Sequence, residues 1–170
     1  MNTPSRFSEN RCRSARLQAR RPNLRALKKP ILIICEGKET EPNYFNLLKR
    51  EDIVTNRFTI KVKRGSGGTR LQIVHSAVKL KVESDIDDQE VWCVFDTEEL
   101  RSEESRKDLS AAISLASANS IITFISNPSF EVWLLAHFVR TSKSFRSCDD
   151  VIVELNKQWK KTLQLTLSKE

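Results

Sequence analysis

A chain of 170 residues, 39% of them hydrophobic, is long enough to form one domain with an ordinary core. No apolar run approaches the roughly 20 residues of a membrane span, and the arginine-rich start lacks the apolar segment of a secretory signal. The four cysteines show no C-x-x-C spacing, which favours a reducing compartment, so we expect a cytoplasmic protein.

The net charge of +7 is concentrated at the start of the chain, where residues 1–30 carry nine basic residues against Glu9 alone, leaving 20 basic and 21 acidic residues elsewhere. We expect residues 1–29 to form a basic arm that is disordered when free, because they lack sustained apolar periodicity. Such arms usually contact the phosphates of nucleic acid without reading sequence, although a solvated tail is the alternative. The arm residues expected to bind phosphate are Arg11, Arg13, Arg16, Arg20 and Arg21.

The rest of the chain, residues 30–170, is predicted to fold as one domain that begins with a strand and a helix. The apolar run 31–35 predicts a buried strand, and Thr40 is the expected N-cap of the helix that follows. Alternating residues over 58–62 predict a second strand that is half exposed. The helical spacing of apolar residues from 71 to 82 predicts the next helix.

The second half of the domain continues the alternation. The run 91–95 predicts a third strand, followed by a helix over 109–118, and 121–125 predicts a fourth strand. Helical spacing returns after residue 128 and again over 148–167. The order of elements predicts an α/β fold with a mostly parallel, four-stranded sheet flanked by helices.

A glycine-rich loop, residues 64–70, joins the second strand to the following helix. It could offer backbone amides to a phosphate at the helix N-terminus, with Arg64 and Arg70 as phosphate-binding side chains. The loop lacks the Gly-Lys-Ser/Thr ending of a Walker A motif, and a flexible loop with Thr69 as the N-cap is the simpler interpretation. This loop is the only support for a phosphotransferase or phosphatase acting on nucleotides.

Acidic residues follow two of the predicted buried strands. Glu36 directly follows 31–35, and Asp96 and Glu98 follow 91–95. Ligands of open parallel sheets bind beyond the carboxyl ends of the strands, so these acids form one cluster if the two strands are neighbours. Clustered carboxylates need a positive partner, and Mg²⁺, or Mn²⁺ in its place, suits such an all-oxygen site. Taken alone, each acid would be a solvated residue that caps a helix, which is the usual role of an acid after a strand.

A fourth acid, Glu131, follows the last predicted strand in an apolar setting and therefore needs a partner. Two roles stay open for it: completing the metal site, or bonding backbone amides at the start of a helix, where its charge is favoured. We expect Asn127 to cap that helix rather than to touch a substrate. Glu41 is expected to cap the first helix rather than to act in catalysis.

Three sequence blocks resemble the RloB-like family, which is associated with phage defence and abortive infection in bacteria. The blocks are Glu36-Gly37-x-x-Thr40-Glu41-x-x-Tyr44-Phe45, Phe95-Asp96-Thr97-Glu98 and Ser126-Asn127-Pro128-Ser129-Phe130-Glu131-x-Trp133-Leu134-Leu135-x-His137-Phe138. The family is similar to Toprim-type nuclease domains, in which a glutamate after the first strand and an Asp-x-Asp pair after a later strand hold magnesium. In this chain the pair reads Asp-Thr-Glu.

The resemblance implies a Toprim-like, Rossmann-like fold and a Mg²⁺-dependent nuclease that acts as a defence effector. It implies that Asp96 and Glu98 are metal ligands and that Glu36 is a third ligand or the general base. By analogy with related effectors, we expect RNA such as tRNA to be the substrate rather than DNA. The resemblance also implies a partner ATPase of the AAA or ABC type encoded beside it, and it is compatible with a homodimer. A non-catalytic subunit that binds nucleic acid or a partner is the alternative from a different functional class.

Overall fold

The computed structural model describes residues 28–65, 67–86, 88–97 and 102–167 of the chain. The predictions made for residues 1–27, including the five arm arginines, therefore lie outside the described residues. Lys29, which we assigned to the arm, already belongs to the first strand. Within the described ranges, no helix combines the length and the apolar character that a membrane crossing requires.

In the described part of the chain the sheet has four strands, all parallel, which confirms the predicted α/β fold. In chain order they are β1 (Lys29–Cys35), β2 (Phe58–Lys63), β3 (Glu90–Asp96) and β4 (Ile122–Ser126). Their spatial order is β2-β1-β3-β4, and each neighbouring pair is parallel. β2 alternates between half-buried and exposed residues, as its sequence pattern predicts. The architecture is consistent with a Rossmann-like or Toprim-like fold.

Six helices accompany the strands in the described part of the chain. They are α1 (Thr40–Leu48), α2 (Asp52–Thr55), α3 (Arg70–Val82), α4 (Glu103–Ala118), α5 (Glu131–Ala136) and α6 (Cys148–Leu167). The one-turn helix α2 was not predicted. α4 begins six residues earlier than predicted, because Ser102 caps it by accepting a hydrogen bond from Ser105 and its first turn carries two acids, which a helix N-terminus favours.

The predicted helix caps differ in their outcome. Thr69 caps α3 in a capping box with Gln72, as predicted. The prediction for Thr40 is wrong by one position, since Glu39 occupies the N-cap of α1 and Thr40 is its first residue. The prediction for Asn127 is also wrong: Phe130 occupies the N-cap of α5, and the Asn127 side chain instead accepts a hydrogen bond from Thr97 Oγ1 at 3.0 Å.

Apolar layers cover both faces of the sheet. On one face, buried side chains of β1 and β3 pack against α3 and α4, with Val74 and Ala112 at the centre. On the other face, Ile33 and Val94 belong to a cluster that includes side chains of α1 and α5. Because the strands are buried between two helical layers, their apolar runs are continuous rather than alternating.

The strand order creates a switch point between β1 and β3. The chain passes from β1 to β2 on one side, and β3 lies on the opposite side of β1. In open α/β sheets, ligands bind in the crevice outside the carboxyl ends of the strands at such a point. Glu36 and Asp96 lie at these ends, which places two of the predicted acids at the position where a ligand is expected.

Candidate functional site

Glu36 and Asp96, which we call the acid pair, are brought together by the pairing of β1 with β3. Cys35 lies opposite Val94 in this pairing, and the Glu36 amide donates a hydrogen bond to the Val94 carbonyl at 2.9 Å. The Asp96 amide in turn donates to Glu36 Oε2 at 3.2 Å. The structure therefore joins two of the predicted acids directly, and the condition that their strands be neighbours is met.

The guanidinium of Arg70 lies against the acid pair. Its Nη2 atom is 3.4 Å from Glu36 Oε1 and 3.9 Å from Asp96 Oδ1. Nε and Nη2 also donate to the Asp96 carbonyl, at 3.3 and 3.1 Å. Only 5% of the Arg70 side chain is exposed. A guanidinium stays protonated in proteins, so Arg70 compensates the acids permanently and faces inward rather than standing at the surface of the glycine loop.

Arg70 is held in place by residues from two helices. Asp108 on α4 accepts hydrogen bonds from the backbone amides of Arg70, at 2.9 Å, and Leu71, at 3.3 Å. Thr69 accepts another from the Gln72 amide. These contacts satisfy amides at the start of α3, which have no partners within the helix. Asp108 was not predicted as a site residue, because it directly precedes the helix predicted over 109–118 and no local pattern indicates its contact with α3.

The glycine loop packs against the end of β1. A Cβ atom on Gly65 would lie 2.1 Å from the Glu36 carbonyl oxygen, so only glycine fits there. Gly67 and Gly68 both have positive φ, at 81° and 111°, which glycine adopts readily. The predicted phosphate-binding residue Arg64 is exposed at the start of the loop and pairs with Glu39 at 3.5 Å. The loop thus leads directly into Arg70, the first residue of α3, which contacts the acid pair.

A cleft of about 350 Å³ opens beside the acid pair. Four carboxylates line it, from Glu36, Glu41, Asp96 and Glu131. Its described lining also includes Ser129 and Cys148 but no basic side chain. The accumulated negative charge makes the cleft a place that attracts cations.

The two other acids of the cleft come from α1 and α5. Glu41 is only 6% exposed. It accepts a hydrogen bond from the amide of Gly37, the residue after Glu36, at 3.2 Å, and this bond holds its carboxylate near the end of β1. Glu131 accepts a hydrogen bond from Cys148 Sγ at 3.5 Å. The structure therefore brings Glu131 to the same cleft as the acid pair, and adds Glu41 and Cys148, which were not predicted as site residues.

Two serine hydroxyls beside the cleft are buried, and within the described residues neither has a protein hydrogen-bond partner. Ser126 is 4% exposed and Ser129 is 2% exposed. A buried polar group without a partner costs about 1–3 kcal/mol, so such groups often mark the position of a ligand or water. Ser129 belongs to the lining of the cleft, and its buried hydroxyl lies behind the cleft surface.

The donor set of the acid pair fits Mg²⁺, which is usually bound by one or two carboxylates, with water and substrate phosphate as the other ligands. Among the described residues, no three His, Cys, Asp or Glu side chains form a ready-made metal group. Glu98, the third predicted acid, lies outside the described residues. Within the described part, the residues that would hold the ion are therefore Glu36 and Asp96.

Comparison with known proteins identifies one family. The model of the family described as RloB-like protein matches residues 31–170. No curated protein and no solved structure matches the chain. The matched range includes all the residues that line the acidic cleft.

Proposed function

This chain belongs to the RloB-like family, and we propose that it is a magnesium-dependent nuclease that hydrolyses phosphodiester bonds. The observation that carries this proposal is the acid pair: two acidic residues at the ends of neighbouring strands, joined by a hydrogen bond from the Asp96 amide to the Glu36 carboxylate, at the switch point of a parallel sheet. Carboxylates at such a position, facing an acidic cleft, are suited to holding a divalent cation.

In the proposed reaction, a water oxygen bonds to phosphorus while the bond from phosphorus to the leaving oxygen breaks. Mg²⁺ held by Glu36 and Asp96 would neutralise charge on the phosphate and lower the pKa of the attacking water. The chain's own residues supply the positioning, since the Asp96 amide contacts one Glu36 oxygen and Arg70 lies beside the other. We propose that Glu131, which lines the same cleft from α5, accepts the proton of the attacking water, and that the leaving oxygen takes up a proton from solvent.

The proposed substrate is nucleic acid, with RNA such as tRNA favoured over DNA. The preference for RNA rests on analogy with related defence effectors. Binding to phosphates is supported by the basic composition of residues 1–30 and by exposed basic residues in and after β2, namely Lys61, Lys63 and Arg64. Such contacts position a nucleic acid through its backbone and carry no sequence information.

Cleavage of purified substrates by the wild type and Asp96→Asn tests the nuclease proposal. We expect the wild type to cut tRNA with Mg²⁺ and to lose this activity in EDTA, and Asp96→Asn to lose at least about 10²-fold, because it removes a charge that holds the ion. Asp52→Asn, on the exposed helix α2, is the control and should keep full activity. Cleavage by Asp96→Asn at the wild-type rate would refute the proposal.

We further propose that the nuclease acts in the bacterial cytoplasm as an effector of phage defence, controlled by an ATPase encoded beside it. The test is survival under phage challenge of cells that express the chain with and without this neighbour. We expect protection and discrete RNA fragments only when both proteins are present and Asp96 is intact. Equal RNA cleavage with and without the ATPase would contradict control by the neighbour.

A second candidate function is a non-catalytic subunit that binds nucleic acid or a partner protein. It is favoured by the position of Arg70, which already compensates the acid pair, and by the lack of a ready-made three-ligand metal group among the described residues. Protection against phage that persists in Asp96→Asn, with intact cellular RNA and DNA, would establish this function in place of the nuclease.

A further inference from the structure

We propose that Arg70 is the resident cation of the acid pair and that its charge weakens the binding of Mg²⁺ by Glu36 and Asp96. Arg70 is thus a positioning residue that sets when the site accepts metal. The inference rests on the proposed function in one respect, that a divalent cation binds at the acid pair. It adds an element of regulation to that site.

Arg70 and the acid pair carry opposite charges. Two neighbouring carboxylates repel each other, and a positive group within reach of both offsets this repulsion. Arg70 provides this group, because its Nη2 atom lies 3.4 Å from one carboxylate and 3.9 Å from the other. A divalent cation bound by the two carboxylates would lie close to the guanidinium, and the two positive charges would repel each other.

Arg70 is not free to move away from the acid pair. Its backbone amide is bonded to Asp108, and its guanidinium donates two hydrogen bonds to the Asp96 carbonyl. The side chain is almost fully buried, so leaving would also cost its packing against the surrounding residues. The fold therefore keeps the positive charge of Arg70 beside the acid pair when a metal ion approaches.

A bound substrate would change this charge balance. A phosphate that enters the cleft brings negative charge close to the metal ion, and this charge offsets the repulsion from Arg70, which is buried and does not line the cleft. The phosphate therefore relieves the repulsion between Arg70 and the ion. By reciprocity of binding, metal and nucleic acid should each strengthen the binding of the other. Arg70 would then keep the site weakly loaded with metal until a substrate arrives.

Isothermal calorimetry of the full chain with Mg²⁺, and with Mn²⁺ in a second series, tests the inference without using activity. Arg70→Gln removes the charge and keeps an amide that can donate to Asp96, and we expect it to bind the ion about tenfold more tightly than the wild type. Arg70→Lys keeps the charge and should stay within about twofold. Arg64→Met is the matched control, because Arg64 lies in the same loop but is exposed and pairs with Glu39.

The calorimetry separates a failure of the Arg70 inference from a failure of the nuclease proposal. If Arg70 only supports the fold, its replacement will leave metal affinity unchanged or weaken it, and either outcome overturns the inference while the nuclease proposal stands. If neither the wild type nor any Arg70 variant binds the ion, both proposals fail. Circular dichroism must show that Arg70→Gln is folded, and Arg70→Met is the second neutral variant, expected to show the same tighter binding.

Discussion

Asp108 and Arg70 connect two helices on the same face of the sheet. One carboxylate oxygen of Asp108 accepts a hydrogen bond from the Arg70 amide at 2.9 Å, and the other accepts one from the Leu71 amide. A single side chain of α4 thus satisfies two amides at the start of α3 and fixes the residue whose guanidinium contacts the acid pair.

Replacing Asp108 should therefore destabilise the protein. We expect Asp108→Ala to lower the free energy of unfolding by about 2 kcal/mol, because two partly buried amides lose a charged acceptor. Urea denaturation followed by circular dichroism measures this. Glu104→Ala, an exposed acid of the same helix, is the control and should cost less than about 1 kcal/mol. Equal losses in the two variants would mean that the Asp108 hydrogen bonds contribute little.

Gly65→Ala should be more damaging than Gly67→Ala, although both glycines lie in the same loop. A Cβ atom on Gly65 would lie 2.1 Å from the Glu36 carbonyl oxygen, whereas a Cβ on Gly67 would meet no atom within 4 Å. We expect losses of about 2–3 kcal/mol for Gly65→Ala, from overpacking against backbone, and about 1 kcal/mol for Gly67→Ala, from its positive φ. Thermal or urea unfolding compares them, and the reverse ranking would contradict this account.

The described cysteines should differ sharply in their reactivity. Burial raises the pKa of both Cys35 and Cys93 to about 12, so at pH 8 only about one thiol in ten thousand would be the reactive thiolate. Cys148 is partly exposed in the acidic cleft. We expect iodoacetamide to modify Cys148 in the native protein and to reach Cys35 and Cys93 only after unfolding. Peptide mapping by mass spectrometry measures this, and labelling of Cys35 in folded protein would contradict it.

The ion pair between Lys29 and Glu90 predicts a pH dependence of stability. A hydrogen bond from Lys29 lowers the pKa of Glu90 below its usual 4.5. A carboxyl whose folded-state pKa is lowered stabilises the fold above its unfolded-state pKa and loses that contribution as the pH falls through the folded-state value. The gain should be under about 1 kcal/mol, because both side chains are partly exposed.

Glu90→Gln tests this dependence. Between about pH 6 and pH 3, the variant should lose less stability than the wild type, because it has no proton to take up at this position. Urea unfolding at several pH values provides the comparison. Asp85→Asn is a control, as an exposed acid just before the same strand. If the free energy of unfolding falls equally with pH in Glu90→Gln and in the wild type, the ion pair contributes nothing measurable.

The sequence predicted the sheet well because each strand carries its own signal. Continuous apolar runs identify β1 and β3, and the alternation in β2 identifies a strand with one exposed face. These signals are local, so neighbouring residues suffice to read them. The start of α4 was placed six residues too late because its first two turns are charged, and only the cap at Ser102 marks the boundary.

Only part of the acid cluster was predictable, because some of its contacts join residues that are far apart in the sequence. Glu36 and Asp96 follow apolar strands, so the topology alone places them at one edge of the sheet. Arg70 contacts them across 34 and 26 positions of the chain, and its anchor Asp108 lies 38 positions away. No local pattern distinguishes an arginine that turns inward from one that faces solvent, so the orientation of Arg70 required the structure.

The hydrogen bonds of Asp108 also have a mechanical consequence. α4 packs beside α3, while its outer side chains are exposed. Any displacement of α4 that carries Asp108 with it would pull on the Arg70 amide and shift the guanidinium relative to Glu36 and Asp96. A protein that bound the exposed side of α4 and displaced this helix would therefore change the distance between Arg70 and the acid pair without entering the cleft.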